Sequence, residues 1–214
     1  MRMRKKVWAK PYLEKRSDVI VIDASANVGN WKKIIPGEKL HIEIGSGKGD
    51  YWVKMAALYA NESWIGIEKS SDAAAVAIKK CPDNPANMRF INDDAQYLSD
   101  WFDENEVDVI HLNFSDPWPK KGHAKRRLTA KSFLEQYYRI LSKEGIIIMK
   151  TDNSKLFEYS LLTFASECWE LIDVSVDFRR ENHDEDVITE YEANFMEKGQ
   201  SIYRGIWRKT EVTK

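Results

Sequence analysis

The stretch LHIEIGSGKG, Leu40 to Gly49, joins a short apolar run to three glycines at alternate positions and leads into a helical pattern from Tyr51. Glycines at a strand-to-helix turn let the backbone bend sharply and approach a ligand beside a helix N-terminus. Working outward, four further runs read as strands: Ser63 to Glu68, Met88 to Asn92, Val107 to Phe114 and Gly145 to Lys150. They are short, rich in Ile and Val, and mostly bounded by turn or polar residues. Helical patterns fill the intervals, at Tyr51 to Ala60, Asp72 to Lys80, Gln96 to Phe102, Thr129 to Leu141 and Leu156 to Cys168. Two more strand-like runs follow, Trp169 to Phe178 and Ser201 to Lys209. Strands alternating with helices predict an α/β fold, a doubly wound and mainly parallel sheet with helices on both faces. Right-handed crossovers then place the ligand crevice outside the carboxyl ends of the strands.

The chain has 214 residues, 33 Lys plus Arg against 34 Asp plus Glu, and a formal net charge of -1. With 43% hydrophobic and 31% charged residues, its composition is neither disordered nor membrane-like. The length predicts one domain over 1–214, with about the first 35 residues as a basic N-terminal extension. No apolar run approaches the roughly 18–20 residues of a spanning helix, and the basic start lacks the apolar segment of a secretory signal. Cys81 and Cys168 stand in unrelated contexts and the histidines are scattered, so neither disulfides nor a metal site are expected and a cytoplasmic setting fits.

A net charge near zero argues against a nucleic-acid partner, but the total conceals segregation. Residues 1–16 carry seven basic residues and one acid, and residues 120–131 carry six basic residues and no acid. The remainder holds 20 basic against 33 acidic residues. Positive charge is thus confined to two tracts on an acidic body.

The glycine turn is compatible with several nucleotide ligands. A phosphate loop fails, because Ile42 and Gly49 occupy the positions that need Gly and Ser or Thr. A dinucleotide fingerprint fails at Asp50, where a third glycine is required. The spacing present, Gly45-x-Gly47-x-Gly49, resembles motif I of class I S-adenosylmethionine-dependent methyltransferases. Acids at successive strand ends agree with that cofactor. Glu68, 19 positions after Gly49, is placed to accept from ribose hydroxyls. Asp93 or Asp94 is placed at the adenine amine, since an ionised carboxylate only accepts hydrogen bonds. Glu43, just before the glycines, suits the cofactor's cationic ammonium.

The most specific stretch is NFSDPWPKKGHAKRRLT, Asn113 to Thr129. Its prolines stop strand pairing and stiffen the turn, which puts Asp116 and Trp118 at the rim of the crevice. Here the chain resembles the bacterial tRNA (guanine-N7)-methyltransferases, whose SDPWPK-x-x-H-x-KRRL hallmark matches Ser115 to Leu128. The likeness extends to MRMRKKVWA at the start, EIGSGKG, KTDN at Lys150 to Asn153 and TEYEANFMEKGQSIYR at Thr189 to Arg204.

That resemblance implies a Rossmann-like enzyme that uses S-adenosylmethionine to form 7-methylguanosine in the tRNA variable loop. It places Glu43, Gly45, Gly47, Glu68, Asp94 and Asp116 at the cofactor, with Asp116 also catalytic. It makes Lys120, Asp152, Thr189 and Glu192 substrate contacts, and Lys121, Lys125, Arg126 and Arg127 contacts to RNA. It implies no metal, no obligatory protein partner and no membrane, with a monomer or homodimer expected. Trp8 and Tyr12 in the basic N-terminal tract either stack on RNA or pack the N-terminus onto the domain. The alternatives are a class I methyltransferase acting on another base or amino group, or an RNA-binding module without catalysis. Ile22 to Leu40 and Glu181 to Asp186 offer no functional signal.

Overall fold

In the computed structural model, which describes residues 5–211, the chain enters through helix α1 (Ala9–Glu14), strand β1 (Ile20–Val21) and the single turn α2 (Trp31–Ile34). Alternation then sets in with β2 (Leu40–Ile44), α3 (Asp50–Leu58), β3 (Ser63–Ile67), α4 (Ser71–Lys80) and β4 (Met88–Ile91). It continues through α5 (Leu98–Trp101), β5 (Val107–Asn113), α6 (Lys131–Ile140), β6 (Leu141–Thr151) and α7 (Ser154–Ala165). Strand β7 (Trp169–Ser175), helix α8 (Glu190–Met196) and strand β8 (Tyr203–Lys209) follow.

The strands make one eight-stranded sheet in the order β1-β4-β3-β2-β5-β6-β8-β7. Strands β1 to β6 pair in parallel, whereas β8 runs antiparallel to both β6 and β7. β2 and β3 are buried at every position, as strands covered on both faces must be. One apolar cluster gathers Trp31, Phe102, Tyr137 and Phe164, and a second gathers Leu13, Trp52, Ile78 and Phe90. Because β2 pairs with both β3 and β5, the strand order reverses between β2 and β5. A crevice opens at such a switch point because the flanking crossovers depart to opposite sides.

The expected doubly wound sheet is therefore present, and the expected strands and helices fall within a few residues of their observed bounds. Four short elements, α1, β1, α2 and α8, escape the sequence patterns because one or two turns of helix or two residues of strand show no period. The stretch expected to be an extension is built into the domain. β1 pairs Ile20 with Phe90 and Val21 with Ile91, and Trp31 and Ile35 are fully buried. Arg2 and Arg4 of the first basic tract lie outside the described residues. Arg16 of that tract is buried and donates to Asp18 and to the carbonyls of Ile78 and Pro82. Trp8 lies against Tyr12 at 5.9 Å and under the Lys79 ammonium at 3.9 Å, so it packs the N-terminus onto α4.

Gly49 sets the approach of α3 to α4. Its φ is +71°, and a Cβ there would lie 2.5 Å from the Ala77 Cβ. Left-handed strain and overpacking both oppose any side chain at this position. Gly49→Ala is expected to destabilise the fold by about 2–4 kcal/mol in urea titrations, with Ala77→Gly in the same chain recovering part of the loss. Gly122→Ala, whose Cβ would meet nothing within 4 Å, is the neutral control.

Candidate active site

The carboxyl ends of β2 to β5 open into a cleft of about 710 Å³. Its glycine loop hangs from the end of β3, with the Gly45 and Ser46 amides both donating to the Ile67 carbonyl at 2.8 and 3.0 Å. Gly45 and Gly47 hold φ of +78° and +54°. A Cβ on Gly45 would meet only Leu128 at 4.0 Å, so conformation rather than crowding requires glycine there. Glu68 lines the cleft and accepts from the amides of Gly47 at 3.1 Å and Ser70 at 2.8 Å. Those two bonds fix the carboxylate and leave lone pairs for a ligand. Asp93 and Asp94 line the same wall, where Asp94 accepts from the Gln96 amide at 3.2 Å and starts a 3-10 turn.

Glu43 lies on β2 beneath this loop and is only 3% exposed. Its Oε1 accepts from Asn113 Nδ2 at 3.0 Å. Glu43 Oε2 and Asn113 Oδ1 have no partner among the described residues, although both are buried. With Glu43 ionised, both are acceptors that lack a donor, and a cationic ammonium would match them in sign. Burial pushes the Glu43 carboxyl up to about 7, against the lowering effects of the Asn113 hydrogen bond and the Lys150 charge.

The loop after β5 forms the opposite rim. Phe114 and Trp118 take φ of 50° and 41°, a region that costs non-glycine residues roughly 1–3 kcal/mol each. Between them Asp116 lines the cleft with its carboxylate exposed. Arg127 restrains this loop: its guanidinium donates to the carbonyls of Pro117 and Trp118, both at 3.0 Å, and lies over the Tyr159 ring at 4.1 Å. A 3-10 helix, Lys121–Arg126, continues the rim. Lys125 and Arg126 line the cleft, and the Arg126 guanidinium stacks on Trp118 at 4.9 Å. Lys120 and Lys121 are exposed just beyond it. Asp152, half-buried after β6, has its carboxyl raised by burial.

Thr189 and Glu192 are not brought into the cleft. Thr189 caps α8, accepting from the Glu192 amide at 3.0 Å, the Ser/Thr-x-x-Glu spacing of a capping box. The Glu192 carboxylate does not return to the cap. It is 0% exposed and pairs with Arg179 Nε at 2.7 Å and Lys150 Nζ at 3.2 Å. Asp186 completes the cluster, accepting from Lys150 and Arg179 at 2.5 Å each and from the Tyr51 hydroxyl at 2.9 Å. Arg179 and Asp186 carried no signal in the sequence. Lys150 offered one, since a lysine inside the apolar strand GIIIMK needs acidic partners. Among the described residues no group of three or more His, Cys, Asp or Glu is arranged to hold a metal ion, and no helix is long and apolar enough to cross a membrane.

A doubly wound sheet, a left-handed glycine loop at its switch point and acids at the next two strand ends define a class I S-adenosylmethionine-dependent methyltransferase. Solved structures agree on the fold. An antibiotic-related methyltransferase superposes with TM-score 0.59 over 91% of this chain and 96% of its own, at 18% identity. The 16S rRNA methyltransferase KamB gives 0.60 over 84% and 92%, at 10% identity. A family profile described as "Putative methyltransferase" matches residues 37–205. The curated tRNA (guanine-N(7)-)-methyltransferases of Oceanobacillus iheyensis and Bacillus licheniformis are 41% and 43% identical over 206 residues, 95% of this chain and 97% of each relative. That of Bacillus subtilis is 41% identical over the same length. The chain belongs to the tRNA (guanine-N(7)-)-methyltransferase family.

The raised Glu43 carboxyl has a stability consequence. Between about pH 4.5 and 7 the unfolded chain ionises this group while the folded protein keeps it protonated, so folding stability falls as pH rises through that window. Glu43→Gln does not titrate and keeps an acceptor for Asn113. It is expected to match the wild type in urea denaturation near pH 4.5 and to exceed it at pH 8 by up to about 3 kcal/mol.

Proposed function

We propose that this protein transfers a methyl group to N7 of a guanine in the variable loop of tRNA, in the cytoplasm, acting as a monomer or homodimer without an obligatory protein partner. The observation that carries the reading is the two-sided cleft. Glu68, Asp93 and Asp94, with Lys69 paired to Asp94 at 3.8 Å, form a mainly acidic wall, Lys125 and Arg126 a basic one, and Asp116 stands on the basic side between Phe114 and Trp118. The family relatives support the choice of base and RNA.

S-adenosylmethionine, when bound, supplies the methyl on a sulfonium. Glu68 would accept from its ribose hydroxyls, Asp94 or its neighbour Asp93 from the adenine amine, and Glu43 would meet its ammonium in ionised form. Gly45 and Gly47 would leave room for the close approach. Guanine N7 carries a free lone pair and requires no base to deprotonate it. Most of the rate enhancement is therefore positioning, which fixed loops and carboxylates provide. Alkylation leaves positive charge on the purine, and Asp116 and Asp152 are suited to stabilise it or to accept from N1–H and the exocyclic amine.

Lys120, Lys121, Lys125 and Arg126 would track the RNA backbone beside the cleft, the target base leaving its stack to enter. Arg127 serves this surface indirectly, since its donors hold the Pro117–Trp118 turn. Thr189 and Glu192 act by fixing α8 against the sheet.

Base-resolved mapping of methyl on bulk tRNA should find it at guanine N7 in the variable loop; methyl at another base or on an exocyclic amine would overturn the assignment. Asp116→Asn is expected to lower kcat by at least tenfold at saturating cofactor and tRNA. Wild-type turnover in that variant would remove Asp116 from the mechanism. The tRNA Kd should rise about 10³-fold or more between 50 and 200 mM salt if six or more phosphates are contacted, whereas a flat response would exclude a phosphate-tracking face.

A further inference from the structure

Helix α8 is seven residues long and is anchored by polar contacts in its first turn. The buried pair of cations, Lys150 and Arg179, fixes Glu192 in that turn. Thr189 caps its start, and the Glu190 amide donates to Asp50 Oδ2 at 2.8 Å. A helix pinned in this way nevertheless presents a large aromatic ring to solvent. Tyr191 is 52% exposed. Its ring lies 5.2 Å from Phe114 and 4.9 Å from Phe195, and Phe114 and Phe195 are themselves parallel within 4° at 6.4 Å. Phe114 is the strained residue two positions before Asp116 and lines the cleft. The negative charges of Asp116 and Asp152 both bear on the Tyr191 hydroxyl and help to raise it, after burial.

An aromatic ring that is rigidly based, half open, and flanked by the two carboxylates suited to a purine cation has the properties of a stacking platform. The Lys120 to Arg127 segment offers charge to phosphates, and its neighbour Trp118 is only partly exposed, with Arg126 over one face at 4.9 Å and His123 at its edge at 5.6 Å, so Tyr191 is the more open ring. We propose that Tyr191 is a substrate-positioning residue whose exposed ring stacks on the purine delivered to the Asp116 side of the cleft, holding N7 in line for transfer. This rests on the assignment of guanine as the acceptor. The ring does the work, so the hydroxyl is dispensable. Its fixed base matters because a platform that moves restores the orientational freedom that catalysis must remove.

The test compares Tyr191→Ala, Tyr191→Leu and Tyr191→Phe with wild type, using unmodified tRNA transcript and S-adenosylmethionine, with the methylated position mapped. The alanine and leucine variants are expected to lose about 5- to 150-fold in kcat/KM for tRNA, the range for losing one base–aromatic stack. The phenylalanine variant should stay within threefold of wild type. Cofactor Kd should be unchanged in all three, and the thermal midpoint should be unchanged in the leucine and phenylalanine variants. Leucine preserves an apolar contact with Phe114, so its loss of transfer at a wild-type melting temperature separates stacking from helix packing. Wild-type kcat/KM in the alanine variant, or equal activity of leucine and phenylalanine, would overturn the proposal while leaving N7 methylation intact. Equal loss in phenylalanine and alanine would assign the effect to the hydroxyl and overturn it as well. A wild-type enzyme that methylates no guanine N7 would overturn the functional reading and this inference together.

Discussion

A lysine with no exposed surface holds the carboxyl half of this protein together. Lys150 is the penultimate residue of strand β6, and its ammonium finds Asp186 and Glu192, which Arg179 also pairs with. Two cations and two carboxylates balance in charge. Each charge removed from water is offset only because its partners are close and well aligned; deleting one member of such a cluster typically costs about 3–5 kcal/mol. The cluster unites a strand end, the segment that carries Arg179 and Asp186, and helix α8. Through Tyr51 it also reaches α3, the helix that follows the glycine loop.

Behind Tyr51 the polar chain continues inward. Since the Tyr51 hydroxyl donates to Asp186, His111 Nδ1 at 3.2 Å must donate to Tyr51, and His111 Nε2 then accepts from His41 Nδ1 at 3.0 Å. Burial lowers His111 well below the usual histidine range and His41 to about 3, and at the far end His41 Nε2 lies 2.7 Å from Glu62, whose carboxyl burial raises, so a proton on that carboxyl closes the chain.

The cleft depends on this support at one remove. Phe114 and Trp118 are in left-handed backbone conformations on either side of Asp116, a geometry that persists only when surrounding contacts over-determine it. Arg127 supplies those contacts at Pro117 and Trp118, and the aromatic cluster on α8 supplies them at Phe114. Glu43 shows the opposite economy: a buried carboxyl with an unsatisfied oxygen weakens the free protein, and its position beneath the glycine loop is one where a cation would restore the balance.

The alternation of apolar runs with helical patterns, the three glycines and the strand-end acids were legible in the sequence because each reports a local requirement: side-chain period, backbone handedness, or a carboxylate at the end of a strand. They determined the fold class, the switch-point cleft and the residues Glu68, Asp93, Asp94 and Asp116 on its walls. Charge tracts were legible only as tracts. Arg16, Arg127 and Glu192 look in sequence like their charged neighbours, yet the first secures the carbonyls of Ile78 and Pro82, the second a strained turn, and the third a buried cluster. Only the tertiary structure separated them, along with the two-residue strand β1 and the short helix α8. The reason is physical: whether a charge faces water or a partner depends on atoms dozens of residues away, and no local pattern encodes that distance.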